Sequence, residues 1–194
     1  MRIATRTTLM VLATLLLPAV AKATAQQPDI LIYKGKTYAL FANPLESFYK
    51  SEKERPLFRV RPNVMSTGNW RGYVATWKIE NNLLFLVKLD AWICRDWNGN
   101  TCRKVSLPRL FGKRYRKGKI LADWFSGTLT MPDGKMLQYV HLGYGSVYER
   151  QITLEVKGAK VVAESTVDNT KRTLPSELEL QLQELEKMKP KPPL

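Results

Sequence analysis

Residues 73–93 read YVATWKI-ENN-LLFLVKLDAWI, two apolar runs on either side of a short polar turn. With Glu80, Asn81 and Asn82 in the turn, Ile79 falls opposite Leu83. Tyr73, Ala75, Trp77 and Ile79 then share a face with Leu83, Phe85, Val87 and Leu89. Slid by one residue, the pairing sets Tyr73 opposite Asp90 and Ala75 opposite Lys88. Side chains alternate along a strand, so a one-residue slip turns every one of them to the other face. The first register is therefore expected. Asn tolerates the positive φ of tight hairpin turns, which suits the Asn pair. This hairpin is expected to form the core.

The rest of the chain repeats the pattern. Residues 29–41 (DILIY-KGK-TYALF) read as a hairpin with Gly35 in its turn. Residues 119–127 and 128–140 continue it, with Pro132-Asp133-Gly134 as a turn that sets Met131 against Lys135 and Leu129 against Leu137. Residues 147–166 give a last hairpin about Gly158-Ala159, with Val156 facing Val161 and Leu154 facing Ala163. Trp70 and Trp92 fall opposite each other on the outer face, as a cross-strand pair or as the rim of a ligand groove. Residues 50–62, with Lys50, Lys53, Arg55, Arg59 and Arg61 and two prolines, are expected to form an exposed basic loop or edge segment.

The first 25 residues have the pattern of a secretory signal. Arg2 and Arg6 precede an apolar run at 9–17, and Ala23-Thr24-Ala25 fits the small-residue cleavage rule. The run is short of the roughly 20 apolar residues that span a bilayer. The expected destination is the periplasm or the cell exterior, with no transmembrane segment after cleavage. The whole chain of 194 residues carries 31 basic and 17 acidic side chains. The leader holds Arg2, Arg6 and Lys22 and no acid, so residues 26–194 keep 28 against 17, a formal +11. Such a field favours anionic partners such as lipid head groups, teichoic or nucleic acid, or an acidic protein, with charge for solubility alone as the plainer alternative.

Cys94 and Cys102 lie symmetrically about Asn98 in CRDWNGNTC. An even count in an oxidising compartment predicts a disulfide across a hairpin neck. Closing so small a loop contributes about 2.6 kcal/mol in the chain-entropy model. With a single His in the chain, neither a metal site nor an activated thiol has its partners.

Residues 103–119 are the most basic run, with no acid between Asp96 and Asp123. Arg103, Lys104, Arg109, Lys113, Arg114, Tyr115, Arg116, Lys117 and Lys119 are the candidate binding residues. Trp97 and Trp124 flank the run. Cations mixed with aromatics suit an anionic polymer or an acidic protein. A solvated loop is the plainer alternative. Near the C-terminus, Ser176 and Glu179 form a capping box ahead of a helix with Leu178, Leu182, Leu185 and Met188 on one stripe. That helix would dock on the sheet or hang free as a partner-binding element. Pro190 ends it.

Phosphate loops, dinucleotide fingerprints, nucleophile elbows, zinc spacings and nucleic-acid motifs are missing from the sequence, and no cofactor is called for. A carboxylate pair remains open for an envelope-polymer hydrolase, with Asp90, Asp123 and Glu149 as candidates.

STGNWRGYVATWKI (66–79), ADWFSGTL (122–129) and LQYVHLGYGSVYE (137–149) resemble stretches of a group of bacterial proteins of unassigned function. The resemblance spans most of residues 29–165 and implies no site residues. The expected fold is mainly β. A single antiparallel domain over 26–170, of eight to ten strands in a meander-type barrel or sandwich, is followed over 171–194 by a helix and Pro-rich tail. The expected function is that of an exported, non-catalytic binding protein recognising another protein, as an inhibitor or immunity-type factor does. A polymer or lipid binder and a carboxylate hydrolase are the alternatives.

Overall fold

The computed structural model describes residues 25–62, 64, 66–96 and 98–188. Residues 1–24, over which a secretory signal is expected, residues 63, 65 and 97, and those from 189 onward lie outside the described residues. Among those described, no helix is long and apolar enough to cross a membrane.

The protein is mainly β with a C-terminal helix. Ten strands form one sheet: β1 Asp29–Tyr33, β2 Lys36–Leu40, β3 Phe58–Arg59, β4 Tyr73–Glu80, β5 Leu83–Cys94, β6 Cys102–Lys104, β7 Ile120–Leu121, β8 Gly127–Gln138, β9 Val147–Lys157 and β10 Lys160–Asp168. Among the described residues, two α-helices, α1 Leu107–Phe111 and α2 Glu177–Met188, and three single-turn 3-10 helices accompany the sheet. The main path runs β2-β1-β4-β5-β10-β9-β8, with β3, β6 and β7 also paired to β5. The sheet is open. Its two end strands approach each other where the Phe41 N–H donates to the Thr130 carbonyl at 2.7 Å. The pairing is antiparallel except between β1 and β4, which run parallel. A parallel partner needs a long crossover, and residues 41–72 supply it without a helical pattern that sequence could flag.

The β4–β5 hairpin is the spine, in a register that combines two demands. Asn81 (φ 51°) and Asn82 (φ 60°) form a two-residue turn that pairs Glu80 with Leu83 and Trp77 with Leu86. This is the slipped register near the turn. Carried further it would set Tyr73 opposite Asp90. A bulge at Val87 absorbs one residue, so Ala75 meets Leu89 and Tyr73 meets Ala91. Bulges do this work by letting two residues oppose one. The buried stripe is Leu84, Leu86, Leu89 and Ala91 against Trp77, Ala75 and Tyr73, while Phe85 turns outward and is only half-buried. The expected stripe through Leu83, Phe85 and Val87 is thus corrected, because the Asn-Asn turn type fixes the first pairs.

Three other pairings differ from expectation. Pro132-Asp133-Gly134 is no turn but part of β8, which runs unbroken beside β9. β8 ends the sheet path, where a strand tolerates the missing N–H of proline. Gly134 (φ 85°) sits in a register shift, and Glu149 accepts the Lys135 N–H at 3.0 Å. Val156 does face Val161, but a bulge then sets Leu154 opposite Glu164 instead of Ala163. Trp70 lies in a turn before β4, while Trp92 pairs with Arg59 and Lys104, so the two do not face each other.

The core gathers Leu31, Leu40, Trp77, Leu86, Met131 and Leu154 with their neighbours. Cys94 and Cys102 form the expected disulfide across the β5–β6 ladder. The α2 cap is the expected one, Ser176 Oγ accepting from Glu179 N and Glu179 Oε2 from Ser176 N. Its docked face is different. Leu180 and Glu184 are buried against Val140, Leu142 and Gly143, whereas Leu178, Leu182 and Leu185 are 65%, 53% and 49% exposed.

Candidate functional site

The basic run divides in two. Arg103, Lys104 and Arg109 are exposed around a shallow hollow of about 80 Å³ floored by Ile93, Val105 and Leu110. Roughly 23 Å further along β5, judged from seven residues of strand rise, Arg114, Arg116, Lys117 and Lys119 converge. They ring a groove of about 270 Å³ whose floor is Phe85 and Leu121. Lys113 is exposed beside it, and Tyr115 is half-buried against the core.

The groove is built by local chain chemistry. α1 buries Phe111 against Phe48 and Trp124, with ring centroids 5.2 and 6.1 Å away. This anchors the start of the segment. Its end is a tight hairpin: Arg116 N–H donates to Lys119 O at 2.9 Å, and Lys119 N–H donates back at 3.1 Å. Lys117 (φ 50°) and Gly118 (φ 84°) hold the two left-handed positions such a turn requires. That conformation puts Lys117 at the tip. Ile120 and Leu121 then pair with Leu86 and Phe85, which seats the hairpin on the spine.

The cations are not equally occupied. Arg114 pairs with Asp123 at 2.6 Å and lies 6.0 Å from the Trp124 ring. Lys119 sits 4.1 Å from the Phe85 ring centroid and pairs with Glu80. Hydrogen bonds from Lys119 and Lys78 hold the Glu80 carboxyl down at about 2. Arg116 spends its Nε on the Lys113 carbonyl at 3.3 Å. Lys117 has no ion pair among the described residues. The groove therefore offers an apolar floor under a rim with unspent positive charge. Sequence found the rim, but not Phe85 and Leu121 as its floor, because the expected register turned Phe85 inward.

A second concavity is larger. A cleft of about 770 Å³ lies between residues 52–60, the 66–72 turn and the end of β5. Trp70, 63% exposed, and the exposed Arg95 both line it. Arg59 and Phe58 are buried in its lining. Gly72 lets the chain pass close to β3, since a Cβ there would stand 2.0 Å from the Phe58 carbonyl oxygen. The expected Trp70–Trp92 rim does not form, since only Trp70 of the two lines this cleft. Arg59, expected on an exposed basic segment, is instead buried in β3, which pairs with β5, and Arg95 gave no signal.

The three carboxylates considered for hydrolysis are spent locally. Asp90 pairs with Lys88, Asp123 with Arg114, and Glu149 accepts the Lys135 N–H. None of them lines any of these cavities or the further one, about 390 Å³, beside Phe41, Tyr144 and Tyr148. No group of three or more His, Cys, Asp or Glu side chains that could hold a metal is found among the described residues.

A buried polar cluster joins the stretches that carry the resemblance. Asp29 (0% exposed) accepts from Trp77 Nε1 at 3.0 Å, Ala75 N at 3.1 Å and Arg71 Nη2 at 3.4 Å. Arg71 donates further to Gln27 O, Tyr144 Oη and Asn43 Oδ1. Tyr144 Oη donates to Asn43 Oδ1 at 2.9 Å, and Trp124 Nε1 to Pro44 O at 3.0 Å. The three stretches thus meet at Asn43-Pro44 as scaffold. Burial pushes the Asp29 carboxyl up to about 6 against the pull of Arg71. No family model, curated protein or solved structure matches this chain.

Proposed function

We propose that the protein is an exported, non-catalytic binding protein whose groove at 114–121 receives an acidic surface of another protein. The observation that carries this reading is the convergence of Arg114, Arg116, Lys117 and Lys119 around the apolar floor of Phe85 and Leu121. An apolar centre inside a charged rim is the anatomy of protein interfaces. A polyphosphate or sulfated polymer meets cations alone and gains nothing from a Phe–Leu floor, which favours a protein over a polymer. The positive field steers an acidic partner to the groove and raises the association rate. Export is supported by the leader pattern of residues 1–25 and by the disulfide.

The test compares partners captured from the cell envelope by wild type and by a Lys113/Arg114/Arg116/Lys117→Glu variant. One or more acidic proteins are expected with wild type and missing from the variant. Identical partner sets would remove the groove as the contact surface. Retention on a polyanion column that falls steeply with salt, with no saturable protein partner, would move the reading to a polymer binder.

A further inference from the structure

The cleft beside Trp70 is apart from the cation-rimmed groove and has a different character. Its lining combines Pro56, Leu57, Phe58 and Val60 with arginines, and its one acid is Glu52. Of the arginines, Arg55 is already committed. Its Nε and Nη2 grip the Glu46 carboxylate at 3.0 Å each, and Nη2 also donates to Arg71 O at 2.7 Å. That clamp ties residues 52–60 to the body and holds the wall in place without a ligand. Arg59 is buried in the lining and partnered within the protein. Arg95 is exposed, and its guanidinium has no partner among the described residues. The volume, about 770 Å³, falls in the range of small-molecule sites.

We infer that this cleft is a second binding site and that it takes an amphiphilic monoanion, an apolar chain or ring system ending in one carboxylate. The apolar walls take the body, the exposed indole of Trp70 covers it, and Arg95 pairs with the acid head. A single uncommitted guanidinium suits one negative charge, and the neighbouring Arg59 disfavours a cationic head group. Arg–carboxylate pairing is often bidentate, which fixes the head while the walls exclude water from the body.

Isothermal titration of the full chain with sodium dodecanoate below its micelle concentration tests this, with dodecyltrimethylammonium as the opposite head group. Wild type is expected to bind dodecanoate saturably at one site, at least about tenfold tighter than the ammonium amphiphile. Arg95→Glu and Trp70→Ala each weaken dodecanoate binding by about tenfold or more. Lys36→Glu, which changes net charge as Arg95→Glu does but on the exposed start of β2, leaves it unchanged. Both cleft residues are exposed, and an unchanged circular dichroism melt verifies that the variants fold. Absence of saturable binding to wild type, equal affinity for both head groups, or equal loss in Lys36→Glu and Arg95→Glu would each overturn the assignment.

Discussion

Arg71 and Lys119 are both cations placed over aromatic rings, Arg71 5.2 Å from Tyr73 and Lys119 4.1 Å from Phe85. Around Arg71, the Nη atoms meet Asp29, Asn43, Tyr144 and the Gln27 carbonyl, and the buried carboxylate of Asp29 has its counter-charge. Around Lys119 the cations outnumber their acids, and two hydrophobic side chains lie partly open beneath them. The inner cluster is a closed account of charge, and the outer one is left unbalanced. Both hang on one hairpin, because the Asn81-Asn82 turn sets Trp77 and Leu86 inward and Phe85 outward, and the bulge at Val87 then brings Ala75 and Tyr73 onto Leu89 and Ala91. The contrast teaches that a basic, aromatic composition does not mark a binding surface by itself. What distinguishes the proposed surface is positive charge in excess of its internal acids, Asp123 and Glu80.

The largest expected effect breaks the inner cluster. Arg71→Met leaves Asp29 buried with no counter-charge, along with Asn43, Tyr144 and the Gln27 carbonyl short of a donor. Breaking a buried ion pair by removing one partner costs about 3–5 kcal/mol. The urea midpoint should fall accordingly, while dodecanoate and partner binding survive at temperatures where the variant is folded. A loss under 1 kcal/mol would mean that the cluster is not what holds the crossover to the sheet.

Next in size is a pH effect of the same cluster. The folded Asp29 carboxyl titrates near 6 and the unfolded one near 3.8. The folded state therefore holds the proton more tightly. Its contribution to stability is full below about pH 4 and is lost as pH rises to about 6, by up to about 3 kcal/mol. Asn does not titrate, so the stability of wild type relative to Asp29→Asn should decline across that window. Chemical denaturation at pH 3.5, 5 and 7 measures it. A gap that widens with pH would show that attraction to Arg71 outweighs the penalty of burial.

Much of this was legible in the sequence. Alternating apolar residues gave the main hairpin strands, Gly35 and Gly158-Ala159 located two turns, and the cysteine spacing gave the disulfide, although Lys36, read as turn, belongs to β2. Illegible were the features in which two local rules compete. The Asn-Asn turn asks for one register and the apolar pattern for another, and only a bulge satisfies both. Pro132-Asp133-Gly134 carries turn chemistry, yet an edge strand accepts the same residues as a kink. In α2 the most apolar stripe, through Leu178, Leu182 and Leu185, is the exposed one, since Glu184 is drawn inward beside Tyr144 N at 3.2 Å. For the site, a run of cations could be counted, but its division along β5 and its Phe85 floor required the register.

A smaller effect sharpens the contrast from the outer side. Phe85→Ser removes a half-buried ring from beneath Lys119. Full burial of a Phe side chain is worth about 1.5–3 kcal/mol, so a partly exposed one should cost about 1 kcal/mol here. Partner affinity should drop more than stability does. The reverse ordering would make Phe85 a packing residue and the groove a bare patch of charge.

The smallest change in stability should accompany the cleanest change in binding. Lys117 sits at the tip of its hairpin, exposed and with no ion pair among the described residues. Lys117→Glu therefore disturbs no internal contact, and the thermal midpoint should stay where it is. The backbone there has φ 50° in the native protein, so both residues meet the same conformational cost. Association with an acidic partner should slow, and more so at low salt than at high salt, because rim charges act on encounter more than on the bound contact. Stopped-flow or surface-plasmon rates for both proteins at two ionic strengths distinguish the outcomes. If the slowing is the same at both, charge at the tip is not what steers the encounter, and the unbalanced cations of the outer cluster need another reason to be there.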